Sequence, residues 1–479
     1  MRNFRRFVFS CCAWAQMLAL LTICAAAARA QTVQIIQTNG DQSLLLATQP
    51  GISFSSKITN NRLTIKINDG TKYQQMDGFG AAFTDSSCWL IYNKLTSTQR
   101  STLMTNLFSP SAGVGLTFGR LPMGGTDFSL GNYTYDDMPA GQTDPNLTNF
   151  SISHDTKYII PVIQQALSLN PNLKIEALPW SPPAWMKATG TLDGGGFLTQ
   201  YWSSLANYFV KFIQTYATYK IPIAYITPQN EPLNSTASYP SESLAATDEA
   251  TFIGTYLGPA LASAGLNTST QTLVFEHNWQ GYSYPNTVLA NTAAYNYSAG
   301  TFFHCYSGTV SEQLKVQQAY PNKGIWFTEC SGGAWATNFG NNLVWNMQNL
   351  LVGSVRDYAK GVLLWNMALD QNSGPQNGGC TNCRGVVTIN DSVSPSTIAY
   401  NVEYYSLGQA SKFFQPGAYR VDSNNPSSSL IDVTFLNPDG THELMVCNTG
   451  SSSATFQVEW NNAAFTYTLP SKSVATFKW

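Results

Sequence analysis

Tyr158-Ile159-Ile160-Pro161-Val162-Ile163-Gln164-Gln165-Ala166-Leu167, followed shortly by Leu173-Lys174-Ile175-Glu176-Ala177-Leu178-Pro179, is the unit from which the fold is read. In the first segment Tyr158, Ile159, Val162, Ile163, Ala166 and Leu167 fall on one face at helical spacing. The second is a short apolar run closed by proline, the length of a strand and too short for a helix. Working outward, the same pair of signals recurs. Strand-like runs occupy 75–84, 115–122, 173–179, 223–228, 272–277, 301–306, 324–328 and 361–367. Helical stripes lie between them, as in Leu205, Tyr208, Phe209, Phe212 and Ile213, or Phe252, Ile253, Tyr256, Leu257, Ala260 and Leu261. Eight strand–helix units in sequence predict an α/β chain folded as a (β/α)8 TIM barrel. A doubly wound open sheet is the rival, but Asp77-Gly78-Phe79-Gly80 lacks the third glycine its phosphate loop needs.

The two ends read differently. Residues 31–70 and 411–479 carry strand alternation and turns, such as Ile431-Asp432-Val433-Thr434-Phe435 before Asn437-Pro438-Asp439-Gly440, with little helical period. Strands in a short N-terminal segment need partners, so both termini are expected to form one flanking β-sandwich around a catalytic barrel at 71–410. Such a sandwich either binds carbohydrate or only packs against the barrel.

The first 30 residues read as a leader. Arg2, Arg5 and Arg6 precede an apolar stretch, and Ala28-Arg29-Ala30 supplies a small-x-small cleavage pattern, so cleavage is expected after Ala30 and the mature protein outside the cell. An uncleaved anchor is the alternative, weakened by Ser10, Gln16 and Thr22 within the run. No stable membrane insertion is expected of the remainder. Six cysteines outlast that cleavage; Cys380 and Cys383 lack the second pair a zinc ribbon needs and are expected to close a local disulfide. Sequons begin at Asn132, Asn146, Asn149, Asn234, Asn267, Asn296 and Asn390, weak support for a glycoprotein.

Composition narrows function. Only 11% of residues are charged, with a net charge of −2, which gives no footprint for a nucleic acid or an anionic membrane. Aromatic residues reach 13%, which suits a partner with flat apolar faces ringed by hydroxyls, although most must be core. Barrel enzymes place their chemistry at the carboxyl ends of the strands. There Glu231 closes the fourth run, in Gln229-Asn230-Glu231-Pro232, and Glu329 closes the seventh, in Phe327-Thr328-Glu329-Cys330. Two carboxylates at one barrel mouth can cleave an acetal, one protonating the leaving oxygen while the other attacks carbon or activates water. As strand-end residues they could also be structural ion-pair partners.

Further motifs accompany the two glutamates: Met76-Asp77-Gly78-Phe79-Gly80-Ala81-Ala82-Phe83-Thr84-Asp85, Gly119-Arg120-Leu121-Pro122-Met123 leading to Thr126-Asp127-Phe128-Ser129, Leu178-Pro179-Trp180-Ser181-Pro182-Pro183-Ala184-Trp185-Met186-Lys187, His304-Cys305-Tyr306 and Leu364-Trp365-Asn366-Met367-Ala368-Leu369-Asp370. From about residue 70 to 420 the chain resembles glycoside hydrolase family 30, which contains endo-β-1,6-glucanases, glucosylceramidases and xylan-active enzymes. The resemblance implies that Glu231 is the general acid/base and Glu329 the nucleophile of a retaining mechanism. It further implies that Asn230 bonds the sugar 2-hydroxyl, and that Arg120, Asp127, Trp180 and Trp365 line the sugar subsite. Trp180 and Trp365 could instead be barrel-top packing, and Arg120 a partner that holds a carboxylate ionised.

His304 and Tyr306 are placed in the same substrate shell, as hydrogen-bonding supports for the nucleophile region, with His277 a lesser support. Glu176 and Glu276 read as buried structural acids. No metal or cofactor is expected, because the histidines lack a third ligand at metal spacing. The polar, glycine-rich loop 371–380 offers little apolar surface, so a β-linked glucan is expected over a glucosyl lipid, unless the loop is only a surface connector. An endo-β-1,6-glucanase on wall-type glucan, acting as a monomer, is therefore expected. The alternatives are a glucosylceramidase and, remotely, a sugar-binding wall protein without turnover.

Overall fold

The computed structural model describes residues 32–56 and 63–479; the expected leader at 1–30 lies outside the described residues. A closed barrel of eight parallel strands forms the centre: β1 Gly78–Ala82, β2 Phe118–Pro122, β3 Lys174–Leu178, β4 Tyr225–Ile226, β5 Gln271–Asn278, β6 Ser298–His304, β7 Gly324–Glu329 and β8 Ala359–Asn366. Each falls on one of the eight apolar runs. Between them the helix Ile159–Leu169 buries Ile159, Ile160, Val162, Ile163 and Ala166 against the barrel wall, and the helix Trp202–Thr218 buries Leu205, Phe209, Phe212 and Ile213. The strands are mostly apolar because both faces are covered.

The barrel interior is layered. Phe118, Tyr225, Leu273, Phe302, Trp326 and Leu363 fill one level. Below them Asp77, just before β1, accepts from Tyr225 Oη at 2.8 Å, Trp326 Nε1 at 2.6 Å and Lys174 Nζ at 2.5 Å. The acidic residue of the Asp77-Gly78-Phe79-Gly80 motif thus ties four strands together at the barrel floor. Gly80 is needed for closure, since a Cβ there would sit 1.8 Å from the Phe118 carbonyl oxygen. Two positions above Phe118 on the same strand comes Arg120, level with Glu176, Glu276 and Thr328, all fully buried. This upper layer is charged, and it supports the mouth.

A nine-stranded sheet folded into a sandwich flanks the barrel, in the order Ala47–Ser53, Thr32–Thr38, Ser473–Lys478, His442–Asn448, Leu430–Leu436, Tyr419–Ser423, Thr64–Gln75, Ala454–Trp460, Ala463–Leu469. Three strands come from the N-terminal segment and six from the C-terminal one. Its interior holds Ile35, Ile65, Val446, Phe456, Phe465 and Phe477. The strand Thr64–Gln75 runs across residue 70, and the sandwich resumes at Tyr419 after the last barrel helix, Val402–Ser411. Sandwich and barrel share one core: Phe435 packs on Phe79 and Phe414 at ring-centroid distances of 6.2 and 5.7 Å, and Ile431, Val433 and Met445 join the barrel's apolar cluster. Among the described residues no helix is long and apolar enough to cross a membrane.

Candidate active site

Glu231 and Glu329 stand at the mouth, just beyond β4 and at the end of β7. One carboxylate oxygen of each and a ring nitrogen of His304 all lie within 4.8 Å of one another. Each carboxylate has its own holders. Glu329 Oε2 accepts from Arg120 Nη1, and its Oε1 accepts from Tyr306 Oη at 2.9 Å. Glu231 Oε1 meets His304 Nδ1 at 3.1 Å, and its Oε2 accepts from Asn234 Nδ2 at 3.0 Å.

Backbone geometry sets these directions. Glu231 has φ 46°, in the left-handed region that a non-glycine residue seldom adopts, and its N–H donates to the Glu276 carbonyl at 3.0 Å. Phe275 and Glu276 also have positive φ, 81° and 64°, beside a register break in β5. Three such residues clustered at the ends of two adjacent strands mark strain held by the surrounding structure, as functional sites often carry. The break places the Glu276 side chain in the charged layer, where it accepts from Arg120 Nη2 at 2.9 Å and Thr328 Oγ1 at 2.6 Å and pairs with His304 Nε2 at 3.0 Å. Glu276 was expected to be a structural acid; its position couples both halves of the site.

Arg120 is placed among carboxylates, where the second of its two expected roles would put it. It is completely buried, donates to Glu329, Glu276 and the Asn230 Oδ1 (2.7 Å), and lies 3.5 Å from Glu176. Its guanidinium sits 4.8 and 5.0 Å from the ring centroids of Trp180 and Trp365, which stack on each other at 5.0 Å. Burial lowers the Arg120 pKa, but the charges of Glu276, Glu329 and Glu176 outweigh it and the group stays cationic. Burial alone would raise Glu231; the hydrogen bond and charge of His304, then the charge of His277 (3.7 Å away), hold its pKa at about 2. Burial opposes charge on His304 too, yet Glu329, Glu231 and Glu276 raise its pKa to about 9. His304 therefore meets the Glu231 half of the site more directly than the expected nucleophile half. His277, by contrast, is pushed down to about 4 by burial.

Asp127, Phe128, Trp180, Asn230, Glu231, Tyr239, Tyr306, Glu329, Trp335 and Trp365 enclose a pocket of about 300 Å³, with Cys380 and Cys383 on its rim. Burial, then the charges of Glu329 and Glu231, pushes Asp127 well above the ordinary carboxylate range. The polar loop is no mere connector: Asn377 N–H donates to the Asp127 carbonyl at 2.7 Å, and the loop is closed by a Cys380–Cys383 disulfide. A second disulfide, Cys305–Cys330, joins the residues that follow His304 and Glu329 and was not anticipated. Nor were Asn234, Tyr239 and Trp335. Asn234, three residues after Glu231, was visible only as a sequon. Among the described residues Glu231, His304 and Glu329 form the cluster whose donors are close enough for a metal ion. Every one of those side chains is already engaged by protein partners.

Residues 76–414 match the model of the glycosyl hydrolase family 30 TIM-barrel domain, and residues 417–477 that of the family's beta sandwich domain. The chain belongs to glycosyl hydrolase family 30. It is a family-30 glycosidase, and its curated relatives include the endo-1,6-beta-D-glucanase neg1 of Aspergillus fumigatus, 34% identical over 445 residues that make up 87% of each chain. The endo-1,6-beta-D-glucanase BGN16.3 of Trichoderma harzianum is 33% identical over 84% of each chain. A putative glucosylceramidase of Caenorhabditis elegans is 31% identical over 80% of this chain and 76% of its own. Among solved structures the family-30 enzyme superposes on the endo-beta1,6-glucanase BT3312 with a TM-score of 0.88 at 34% identity, covering 94% of this chain and 99% of that one.

Proposed function

We propose that the protein is a secreted, retaining endo-β-1,6-glucanase that cleaves wall-type β-glucan by double displacement. The close approach of the two carboxylates carries the mechanism. Oxygens within 4.8 Å of each other are in keeping with the roughly 5–5.5 Å of a retaining pair more than with the roughly 6.5–9.5 Å of an inverting one. Glu329, held by Arg120 and aimed by Tyr306, attacks the anomeric carbon. Glu231 hands the departing oxygen the proton that it shares with His304, and then takes one from water to release the sugar. Because Arg120 occupies the Asn230 Oδ1, the Asn230 Nδ2 is left to face the sugar 2-hydroxyl. Asp127 is placed to bond hydroxyls on the far side of the ring.

The glucan half of the reading is supported by the 33–34% identity to endo-1,6-glucanases and by the polar, disulfide-closed loop on the pocket rim. One observation favours a glycolipid instead: Leu233, two residues from Glu231, is 60% exposed beside the acid/base. A linear β-1,6-glucan and glucosylceramide in detergent, offered separately, decide between them. A ladder of short oligomers whose newly formed reducing ends are β by proton NMR is the expected result. First-formed α ends would overturn the retaining step, and glucose released from the lipid alone would overturn the substrate.

A further inference from the structure

A second cavity of about 390 Å³ adjoins the catalytic pocket, lined by Tyr306, Ser331, Trp335, Trp345, Asn346 and Glu403 among others. Tyr306 and Trp335 line both volumes, so the two cavities are direct neighbours. Trp335 is 58% exposed and Trp345 43%, two of the largest apolar side chains in the molecule left at the surface on one side of the mouth.

The platform is rigid. Gly332–Gly333 pairs with Cys383–Arg384 as a two-stranded ribbon, and Ala334 N–H donates to the Asn382 carbonyl at 2.8 Å. Arg384 donates to the Gly333 and Ala336 carbonyls at 3.3 and 3.2 Å and is itself held by Glu403 at 2.7 Å. The Trp335 indole lies so close over Gly333 that a Cβ there would fall 2.0 Å from a ring atom. A large aromatic face fixed before any ligand arrives gives up little entropy on binding.

We infer that this cavity is an additional subsite for glucosyl units of the same glucan chain, beyond the sugars that flank the cleaved bond. The inference rests on the glucanase reading. Indole faces match the C–H faces of a pyranose, and polar side chains stand beside them to meet its hydroxyls. Asn346 and Glu403 in the same lining add polar atoms that suit a ring of hydroxyls better than an acyl chain. The subsite explains how a deep pocket can serve a polymer: the pocket fixes one sugar while the Tyr306, Trp335 and Trp345 track carries the continuing chain.

The test compares kcat/KM on a β-1,6-linked glucose hexamer with that on 4-nitrophenyl β-glucoside, for the wild type, Trp345→Ala and Trp345→Phe. In Trp345→Ala the hexamer-to-aryl ratio is expected to fall about tenfold, the scale of one lost aromatic contact, while Trp345→Phe keeps most of it. An unchanged ratio in both variants, or a proportional loss on both substrates in the conservative variant, would overturn the subsite. So would a loss confined to a long-chain alkyl β-glucoside, which would assign the cavity to a lipid tail. A wild-type enzyme that leaves the hexamer intact overturns the glucanase reading and the subsite together, whereas hydrolysis indifferent to Trp345 overturns the subsite alone.

Discussion

Glu329 and His304 occupy neighbouring strand ends, yet different physics governs them. Glu329→Gln keeps volume and the hydrogen bond from Tyr306 while removing the nucleophile's charge; kcat is expected to fall about a thousandfold or more with the circular dichroism spectrum unchanged. Near-normal turnover would show that another group attacks. His304 acts through charge. With its pKa raised to about 9, the Glu231–His304 pair holds a proton throughout the neutral range and loses it as pH rises past that value, so the alkaline limb of activity is expected there. In His304→Gln the cation that depresses Glu231 is gone, burial then raises the carboxyl, and the last dissociable proton belongs to Glu231 alone. The alkaline limb of kcat/KM should therefore move to lower pH, by about two units or more given ordinary carboxyl values in moderately buried sites. A limb that stays in place would remove His304 from proton handling.

At the scale of elements, the ends of β6 and β7 are joined twice, by parallel pairing that sets His304 opposite Glu329 and by the Cys305–Cys330 bridge one residue further on. Cys305→Ala with Cys330→Ala is expected to lower stability by about 3 kcal/mol, as for a bridge closing a loop of that size. It should also lower kcat, because the slackened link lies beside the reacting groups; thermal unfolding and steady-state kinetics read the two effects. This element also marks the limit of sequence reading. The eight strands, the two glutamates at their ends and the local Cys380–Cys383 closure were legible because period, length and adjacency are local properties. Cys305 with Cys330 required knowing that strand six borders strand seven. Glu276 is the buried, paired acid that its place inside a strand suggests; that its bonds reach both halves of the site depends on a backbone break with two positive φ values, which no alternation pattern encodes. Trp335 carries no such signal, since an aromatic residue in a loop looks the same in sequence whether it packs or stands exposed.

For the molecule as a whole, the sandwich is bound to the barrel too intimately to act as a detachable module. Arg356 donates to the Asp432 and Ser423 carbonyls at 2.9 Å, Gln409 Nε2 donates to Thr38 Oγ1 at 2.9 Å, and Thr476 Oγ1 donates to the Gln409 carbonyl at 2.8 Å. Because apolar residues of both parts join one cluster, heating should give a single calorimetric transition, and a chain ending near residue 415 should fail to accumulate as soluble protein. Two resolved transitions would contradict the shared core. The sandwich thus serves the mouth at a distance, by stiffening the barrel on which strained residues such as Glu231 depend.

The amide of Asn234 carries a last consequence. The nitrogen that donates to Glu231 and, at 3.0 Å, to Tyr239 Oη is the atom to which a glycan would be joined in the Asn234-Ser235-Thr236 sequon. Attachment and orientation of the acid/base compete for one atom. The choice of production host is then a choice about activity: cells that decorate such sequons during export would yield a fraction of molecules capped at the mouth, while cells without that machinery would yield a uniform preparation.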